Sequence, residues 1–340
     1  MKTGQATALE PYDSNSRIED LIEAAFTQIK QLGAAQESSN LFPNGVGSLD
    51  LEISSGPDHH VSLRISGAQA ATIGDQNPAF LGMIGPPIPE FNAEGHHIVA
   101  LIAELDLTQS FPQTMKKVQK ILDDGGRTFL DAAVFPDQIR QSQPQTKPFH
   151  FIDIPFTAGG PTDPPLPPTP HIISKIEDFT GVLRQGGSTQ ARVDALSWLI
   201  HLLGDIHQPL HCAERISPLH PTGDRGGNSF LLKGRAKNLH SLWDSSVTFS
   251  NPDDTQLAHD ILAEHTRAKL ATDLQVSSVE AWARASFKLA KKFAYGPLTE
   301  NPATPPTPSA TYLKNAEKVG RRQAALGAYR LSNRLHEILG

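Results

Sequence analysis

HLLGDIHQPLH at residues 201–211 and NLHSLWD at residues 238–244 each carry a His and an Asp four residues apart. Residues with this spacing lie on one face of an α-helix, so each pair can hold the same cation. The sequence therefore predicts two short metal-binding helical segments, and their paired residues are His201 with Asp205 and His240 with Asp244.

Pro209 and His211 extend the first of these segments. Pro209 is expected to end the helix, which places His211 in the turn just beyond it. A Gly-rich loop, GDRGGN at 223–228, lies between the two segments. His and Asp supply the nitrogen and oxygen donors that suit zinc. A lone His on an apolar helix face is commonly a core residue, but two His/Asp pairs with a further His favour a metal site.

The composition is typical of a globular protein, with 38% hydrophobic and 19% charged residues in a chain of 340. A net charge of −6 argues against a protein that holds nucleic acid over a broad basic surface. It leaves open an enzyme that engages a short piece of a strand through metal ions. The single cysteine, Cys212, excludes an intramolecular disulfide.

Targeting and membrane segments are not recognised in the sequence. The first thirty residues lack a basic segment followed by an apolar core, and no run of eighteen apolar residues occurs. We therefore expect no signal peptide and no membrane association; the location stays unknown, and the sequence alone indicates the cytoplasm.

Residues 1–84 are predicted to form a small N-terminal extension of unknown function. Its helix is expected from a capping box at Ser16 to Gly33, where the apolar spacing ends. Alternating apolar residues at 49–53 and 61–65, around Gly56-Pro57, predict an amphipathic hairpin. One helix and one hairpin bury little surface, so the extension would dock on a partner or on the rest of the chain.

Residues 91–340 are predicted to form the main domain, which follows a Pro-rich linker at 85–90. Apolar spacing predicts one helix that begins near His96. Further helices are expected at 114–122, 172–183, 190–207, 255–272, 278–294 and 312–339. The predicted fold is therefore mainly α.

Three shorter motifs reinforce the two His/Asp segments: EGHH at 94–97, FPDQIR at 135–140 and PFHFID at 148–153. Taken together, the motifs resemble the zinc-dependent single-strand nucleases of fungi and plants, the S1/P1 type. The resemblance runs from about residue 91 to 339. It implies the multi-helix fold that these enzymes share with the zinc-dependent phospholipases C.

The resemblance also implies a set of zinc ligands for three ions. The first ion would be bound by Asp137, His150, His201 and Asp205. The second would be bound by His211, His240 and Asp244. The third would share Asp205, as a bridging carboxylate, with His96 and the backbone of Phe91.

Phe91 is the one position at which the chain departs from this pattern. In the family, the mature chain begins there with a Trp whose amino group and carbonyl both bind the third zinc. Here Phe91 is linked to Glu90 through an amide, and an amide N–H does not donate to zinc. Either the chain is cut before Phe91, or the third ion is held by the carbonyl, His96 and Asp205. The extension would attenuate the enzyme in the first case and would be an accessory domain in the second.

Catalytic and substrate-binding roles are implied in the same way. Arg140 would contact the phosphate oxygens and Asp205 would hold two ions, although Arg140 could instead be a salt-bridged surface residue. Substrate contacts are expected from Phe151, by stacking on a base, and from Asp153, on the base edge. The GDRGGN loop is first of all a tight turn, and Asn228 within it is a further candidate contact. Phe151 could alternatively be a core residue, and His207 is expected to support the site rather than bind metal.

The implied function is a zinc-dependent phosphodiesterase that cleaves single-stranded DNA and RNA to 5′-phosphorylated products and acts as a 3′-nucleotidase. A water made nucleophilic by the ions would attack phosphorus in line. The substrates would be single-stranded nucleic acid and nucleotides. One alternative is a phospholipase C, but those enzymes carry Glu where this chain has Asp244. The other alternative is a non-catalytic zinc protein with a degenerate third site.

Overall fold

In a computed structural model of the chain, side chains are described for residues 93–249 and 253–340, and the backbone alone for strands at 48–54, 60–66 and 71–72. The chain divides into two compact units, Met1–Pro87 and Ile88–Gly340. Three predicted features lie outside the described residues: the helix at 16–33, the linker at 85–90 and Phe91. The domain limits proposed from the sequence stay predictions.

The first unit contains the predicted hairpin. Strand β1, Ser48–Ser54, pairs antiparallel with β2, His60–Ser66, and β2 also pairs with a short β3, Ala71–Thr72. Leu51 lies opposite Leu63, as the alternating apolar pattern requires. The hairpin is therefore confirmed, whereas the third strand was not predicted.

The second unit is mainly α, which confirms the predicted fold class. Its helices, in chain order, are α1 Ala93–Ser110, α2 Pro112–Asp124, α3 Phe129–Ile139, α4 Ile172–Gln185, α5 Thr189–Asp205, α6 Leu239–Asp244, α7 Asp254–Glu264, α8 Ala271–Leu274, α9 Val279–Leu289 and α10 Ala310–Leu339. Short 3-10 turns lie at Pro144–His150, Pro209–Cys212 and Ser246–Thr248, and a π-helical turn at Ala290–Tyr295 continues α9.

Two helix predictions need correction. The helix expected at 255–272 is interrupted after Glu264, and beyond the interruption Arg267 makes two hydrogen bonds to the carboxylate of Asp106 on α1, at 2.6 and 2.5 Å. Helix α3 was not predicted at all. It begins at a capping box formed by Thr128 and Asp131, and it contains Pro136, which reads as a helix breaker in the sequence.

Helix α5 is the centre of the second unit. It packs against α3, α4 and α10, and every residue from Ala195 to Asp205 is buried. A helix surrounded on all sides is apolar around its whole circumference, except where it carries functional polar groups. The two polar side chains in its last two turns, His201 and Asp205, therefore lie in the interior of the unit.

A pair of two-residue strands brings the His150 segment to the His211 segment. Strand β4, Pro155–Phe156, pairs in parallel with β5, Glu214–Arg215. The backbone N–H of Ile152 also donates to the carbonyl of His211 at 2.7 Å. These bonds place residues 150–154 along the turn that follows α5.

Candidate metal centre

Four side chains converge at the carboxyl end of α5. Nδ1 of His150 lies 2.9 Å from Nε2 of His201 and 3.0 Å from Oδ2 of Asp205. Oδ1 of Asp137, on α3, lies 3.6 Å from both of these histidine nitrogens. A tetrahedral zinc ion with bonds of about 2.0–2.2 Å places its ligand atoms about 3.3–3.6 Å apart. The four residues predicted to hold the first ion thus form one compact donor group.

A second donor group joins the 3-10 turn after α5 to helix α6. Oδ1 of Asp244 lies 3.7 Å from Nε2 of His211 and 3.6 Å from Nε2 of His240. The two imidazole rings are stacked, with centroids 5.0 Å apart. His240 and Asp244 lie on one face of α6, as their spacing predicts. This group contains the three residues predicted for the second ion.

His96 occupies the first turn of α1 and faces the first donor group. Its Nε2 lies 3.4 Å from Oδ1 of Asp205 and 3.8 Å from Oδ2 of Asp137. Asp205 therefore presents Oδ2 to His150 and His201, and Oδ1 to His96. This arrangement is the one that a bridging carboxylate requires, while the remaining predicted ligand, Phe91, lies outside the described residues.

Three of the histidines are oriented by backbone carbonyls. Nδ1 of His201 lies 2.7 Å from the carbonyl oxygen of Ala133, and Nδ1 of His240 lies 2.8 Å from that of Gly226. Nδ1 of His211 lies 3.0 Å from the carbonyl oxygen of His150. When Nδ1 donates its proton to such a carbonyl, the lone pair of Nε2 is left for a cation.

The charges of the centre also suit a cation. Burial, helped by the neighbouring His201, lowers the pKa of His96 to about 4. Burial opposes protonation of His211 as well, but the carboxylates of Asp205 and Asp244 outweigh it and raise the pKa of His211 to about 9. Burial would raise the pKa of Asp205, yet its histidine neighbours hold that pKa well below the usual value. The carboxylates thus draw positive charge into a buried site.

Buried polar atoms without hydrogen-bond partners test whether these residues fit a metal. Among the described residues, such atoms include Oδ1 of Asp137, Oδ1 of Asp205 and Oδ2 of Asp244. Buried carboxylate oxygens are costly unless they are hydrogen-bonded, paired with a charge or coordinated to a metal. The donor atoms, their spacing and these orphaned oxygens therefore fit zinc.

Gln208 supports the second donor group, a role that was not predicted. Its side-chain amide donates to Oδ1 of Asp244 at 2.6 Å, and its Oε1 accepts from the backbone N–H of Leu210 at 2.5 Å. Gln208 is buried, so both bonds are shielded from water. The sequence feature that could have indicated this role is the position of Gln208 between Asp205 and His211.

Asp224 and Tyr295 hold the GDRGGN loop in place. This role was not predicted from the sequence either. Oδ1 of Asp224 accepts hydrogen bonds from the hydroxyl of Tyr295 at 3.0 Å and from the backbone N–H of Gly227 at 3.1 Å. Gly226 has a φ of 61°, and a Cβ there would lie 2.6 Å from the carbonyl oxygen of Leu210. The loop therefore needs glycine at 226, where the carbonyl group meets His240.

The three residues predicted to contact substrate lie around one cavity of about 110 Å³. We call it the Phe151 cavity, and its lining also includes ligands of the second donor group: Phe151, Asp153, Leu210, His211, Arg225, Gly226, Asn228 and His240. Phe151 is only half-buried, which distinguishes it from a core residue. Burial, followed by the charge of Glu214, raises the pKa of Asp153 to about 7.

Arg140 follows α3 directly, and its guanidinium lies 3.8 Å from Oδ1 of Asp137. Burial lowers its pKa, while the charges of Asp205 and Asp244 act in the opposite direction. The guanidinium of Arg140 thus interacts electrostatically with a carboxylate of each donor group. His207, in contrast, contacts Arg330 at 2.7 Å through Nε2, so it belongs to the supporting structure as predicted.

No helix in the described part of the chain is long and apolar enough to cross a membrane.

Similarity to known proteins points to one family. Its model, S1/P1 Nuclease, matches residues 91–340. Endonuclease 1 of Arabidopsis thaliana is 26% identical over 281 residues, which are 74% of this chain and 88% of that protein.

Nuclease S1 of Aspergillus oryzae is 29% identical over 188 residues, which are 53% of this chain and 60% of that protein. The match therefore spans less than two thirds of the fungal protein. The family match is broader, because it includes every described residue of both donor groups and of the Phe151 cavity. The chain belongs to the S1/P1 nuclease family.

Proposed function

We propose that this protein is a zinc-dependent phosphodiesterase that cleaves single-stranded DNA and RNA to 5′-phosphorylated products and removes phosphate from 3′-nucleotides. Family membership supports a nuclease, and so a hydrolase. The observation that carries the finer proposal is Asp205, whose two carboxylate oxygens face different ligands within a buried set of His and Asp residues. The Phe151 cavity adjoins this set through His211 and His240.

Zinc, when bound, supplies the Lewis-acid chemistry that activates water and neutralises charge on a phosphate. Asp137, His150, His201 and Asp205 would hold one ion, and His211, His240 and Asp244 another. His96 would share Asp205 in holding a third ion, together with the backbone of Phe91. The carbonyls that orient His201, His211 and His240 keep these side chains in position during turnover.

Arg140 would bind the non-bridging oxygens of the phosphate. Its guanidinium is partly exposed and lies beside the first donor group, within range of Asp205 and Asp244. A fixed guanidinium can make two parallel hydrogen bonds to phosphate oxygens, and these strengthen as negative charge develops.

The Phe151 cavity would hold the base next to the scissile bond. Phe151 offers a ring for stacking, which tolerates any base. Asp153 and Asn228 offer polar groups for the base edge, and the side-chain amide of Asn228 is held by the carbonyl of Arg225 at 2.9 Å. A cavity of this size admits part of one nucleotide, and an extended single strand presents its bases more readily than a duplex does.

The experiment combines metal analysis with a digestion assay. The purified protein, with zinc added and excess removed, should contain more than one zinc per chain and should cleave single-stranded DNA in preference to duplex DNA. Adenosine 3′-monophosphate should release phosphate, whereas the 5′ isomer should not. Treatment with a chelator should abolish both activities, and zinc should restore them. Zinc binding without cleavage of any single-stranded substrate would identify a non-catalytic zinc protein and refute the proposal.

A further inference from the structure

Residues 231–238, with the sequence LLKGRAKN, form a short loop that we call the basic hairpin. Leu231 pairs with Asn238 in an antiparallel bridge. The backbone N–H of Leu232 donates to the carbonyl of Lys237 at 3.0 Å. These contacts close the loop, and Gly234 in its turn has a φ of 99°.

The base of the basic hairpin is part of the candidate active site. The backbone N–H of Leu239 donates to the carbonyl of Phe230 at 2.9 Å, and that of His240 donates to the carbonyl of Gly227 at 3.3 Å. His240 and Asn228 both line the Phe151 cavity. The hairpin therefore starts at the rim of this cavity, and on its far side the backbone N–H of Lys233 donates to the carbonyl of Pro306 at 3.0 Å.

One face of the basic hairpin is exposed and positively charged. Residues 233–235 and 237 are exposed, whereas Leu232 and Asn238 are buried and Ala236 is half-buried. The exposed side chains are those of Leu231, Lys233, Arg235 and Lys237. Three cations thus lie within five residues, in a chain whose net charge is −6.

Arg235 and the two lysines differ in how they are held. The guanidinium of Arg235 donates to the carbonyl of Phe249 at 3.0 Å and lies 4.1 Å from the centre of its ring. Within the described part of the chain, Lys233 and Lys237 form no ion pair. Arg235 therefore stiffens the hairpin, while the lysine ammonium groups remain available to an anion.

We propose that the basic hairpin binds the phosphate backbone of a single strand beyond the nucleotide that occupies the Phe151 cavity. This inference rests on the proposed function, because it assigns a second contact to the same substrate. A flexible ammonium makes a charge contact with phosphate whatever the base sequence. The hairpin would thus raise the affinity for chains of several nucleotides, and a short substrate that ends at the cavity would gain nothing.

The test reverses the two available charges with the double substitution Lys233→Glu and Lys237→Glu. The control reverses two exposed cations on helices that contribute no ligand, Lys116→Glu on α2 and Arg184→Glu on α4, so that both variants have the same net charge. A milder variant, Lys233→Gln with Lys237→Gln, covers the case in which charge reversal harms folding. Circular dichroism and zinc content should match the wild type in each protein.

Two measurements are made on the zinc-loaded proteins. The first is kcat/KM for an oligothymidine of about 20 residues and for the thymidine dinucleotide, at about 50 and about 200 mM salt. The second is the Kd for a fluorescent phosphorothioate oligothymidine of the same length, measured by anisotropy. Each lost phosphate contact should reduce the slope of log K against log salt concentration by about 0.7. Near 0.1 M salt, this corresponds to an affinity about fivefold lower. The double substitution should therefore weaken binding about 25-fold and lower kcat/KM for the long substrate only.

Equal behaviour of the hairpin variant and the control variant would overturn the inference, as would equal losses on the long substrate and the dinucleotide. Failure of the wild type to cleave either substrate would refute the proposed function instead. In that case the anisotropy measurement still decides whether the basic hairpin binds a single strand.

Discussion

The side-chain amide of Gln208 donates a hydrogen bond of 2.6 Å to Oδ1 of Asp244, the oxygen that faces His211 and His240. Oδ1 of Asp244 thus accepts a hydrogen bond from the uncharged Gln208 on one side and faces the rings of His211 and His240 on the other. Such outer contacts orient a ligand before the metal arrives.

The substitution Gln208→Leu should lower zinc affinity at the second donor group about 10–100-fold, because Asp244 loses the donor that orients it. The measurement is zinc competition against a chromogenic chelator. Gln323→Leu is the matched control, since Gln323 is also buried but donates to the backbone carbonyl of His207. Equal zinc affinity in the Gln208 variant and the wild type would show that the hydrogen bond does not position Asp244.

The substitution Asp205→Ala should abolish cleavage and remove more than one zinc per chain, because both oxygens of this carboxylate face ligand groups. Elemental analysis and a single-stranded DNA assay measure the two effects. Asp194→Ala is the control on the same helix, since Asp194 pairs with Arg127 outside the centre. Near-normal turnover in the Asp205 variant would contradict the bridging role.

The substitution Arg140→Ala should leave the zinc content unchanged and slow the chemical step about 100-fold, the usual loss for one donor to developing negative charge. Single-turnover rates on single-stranded DNA measure that step directly. Arg140→Lys keeps the charge but loses the paired hydrogen bonds, so an intermediate rate is expected. An unchanged rate in the alanine variant would remove Arg140 from the mechanism.

A protein that begins at Phe91 with a free amino group tests the N-terminal extension. If an amino group at this position is a zinc ligand, the shortened protein should bind one more zinc than the full chain, or cleave single-stranded DNA several-fold faster. A version with one added residue before Phe91 is the control, because it removes the extension without placing the amine correctly. Equal zinc and equal rates in all three proteins would leave the extension as an accessory domain.

The candidate donor groups were predictable because their chemistry is local. His201 with Asp205, and His240 with Asp244, are recognisable from helical spacing alone, and the resemblance added His96, Asp137 and His150 from short motifs. The supporting contacts were not predictable, because their partners are distant in the sequence: Gln208 meets Asp244 across 36 residues, and Tyr295 meets Asp224 across 71. The interruption after α7 was not predicted either, and the residue beyond it, Arg267, bonds to Asp106 across 161 residues.

The burial of residues 195–205 of α5 predicts that the heat resistance of this protein depends on its metal supply. His201 and Asp205 are at most 1% exposed, and their co-ligands reach them from α1, α3 and the His150 turn. An unfolded chain cannot assemble such a set, so zinc held by these residues would bind the native state almost exclusively. Free zinc at about 1,000 times its dissociation constant would then add about 4 kcal/mol to the free energy of unfolding. The melting temperature should rise and fall with the concentration of free zinc around the protein.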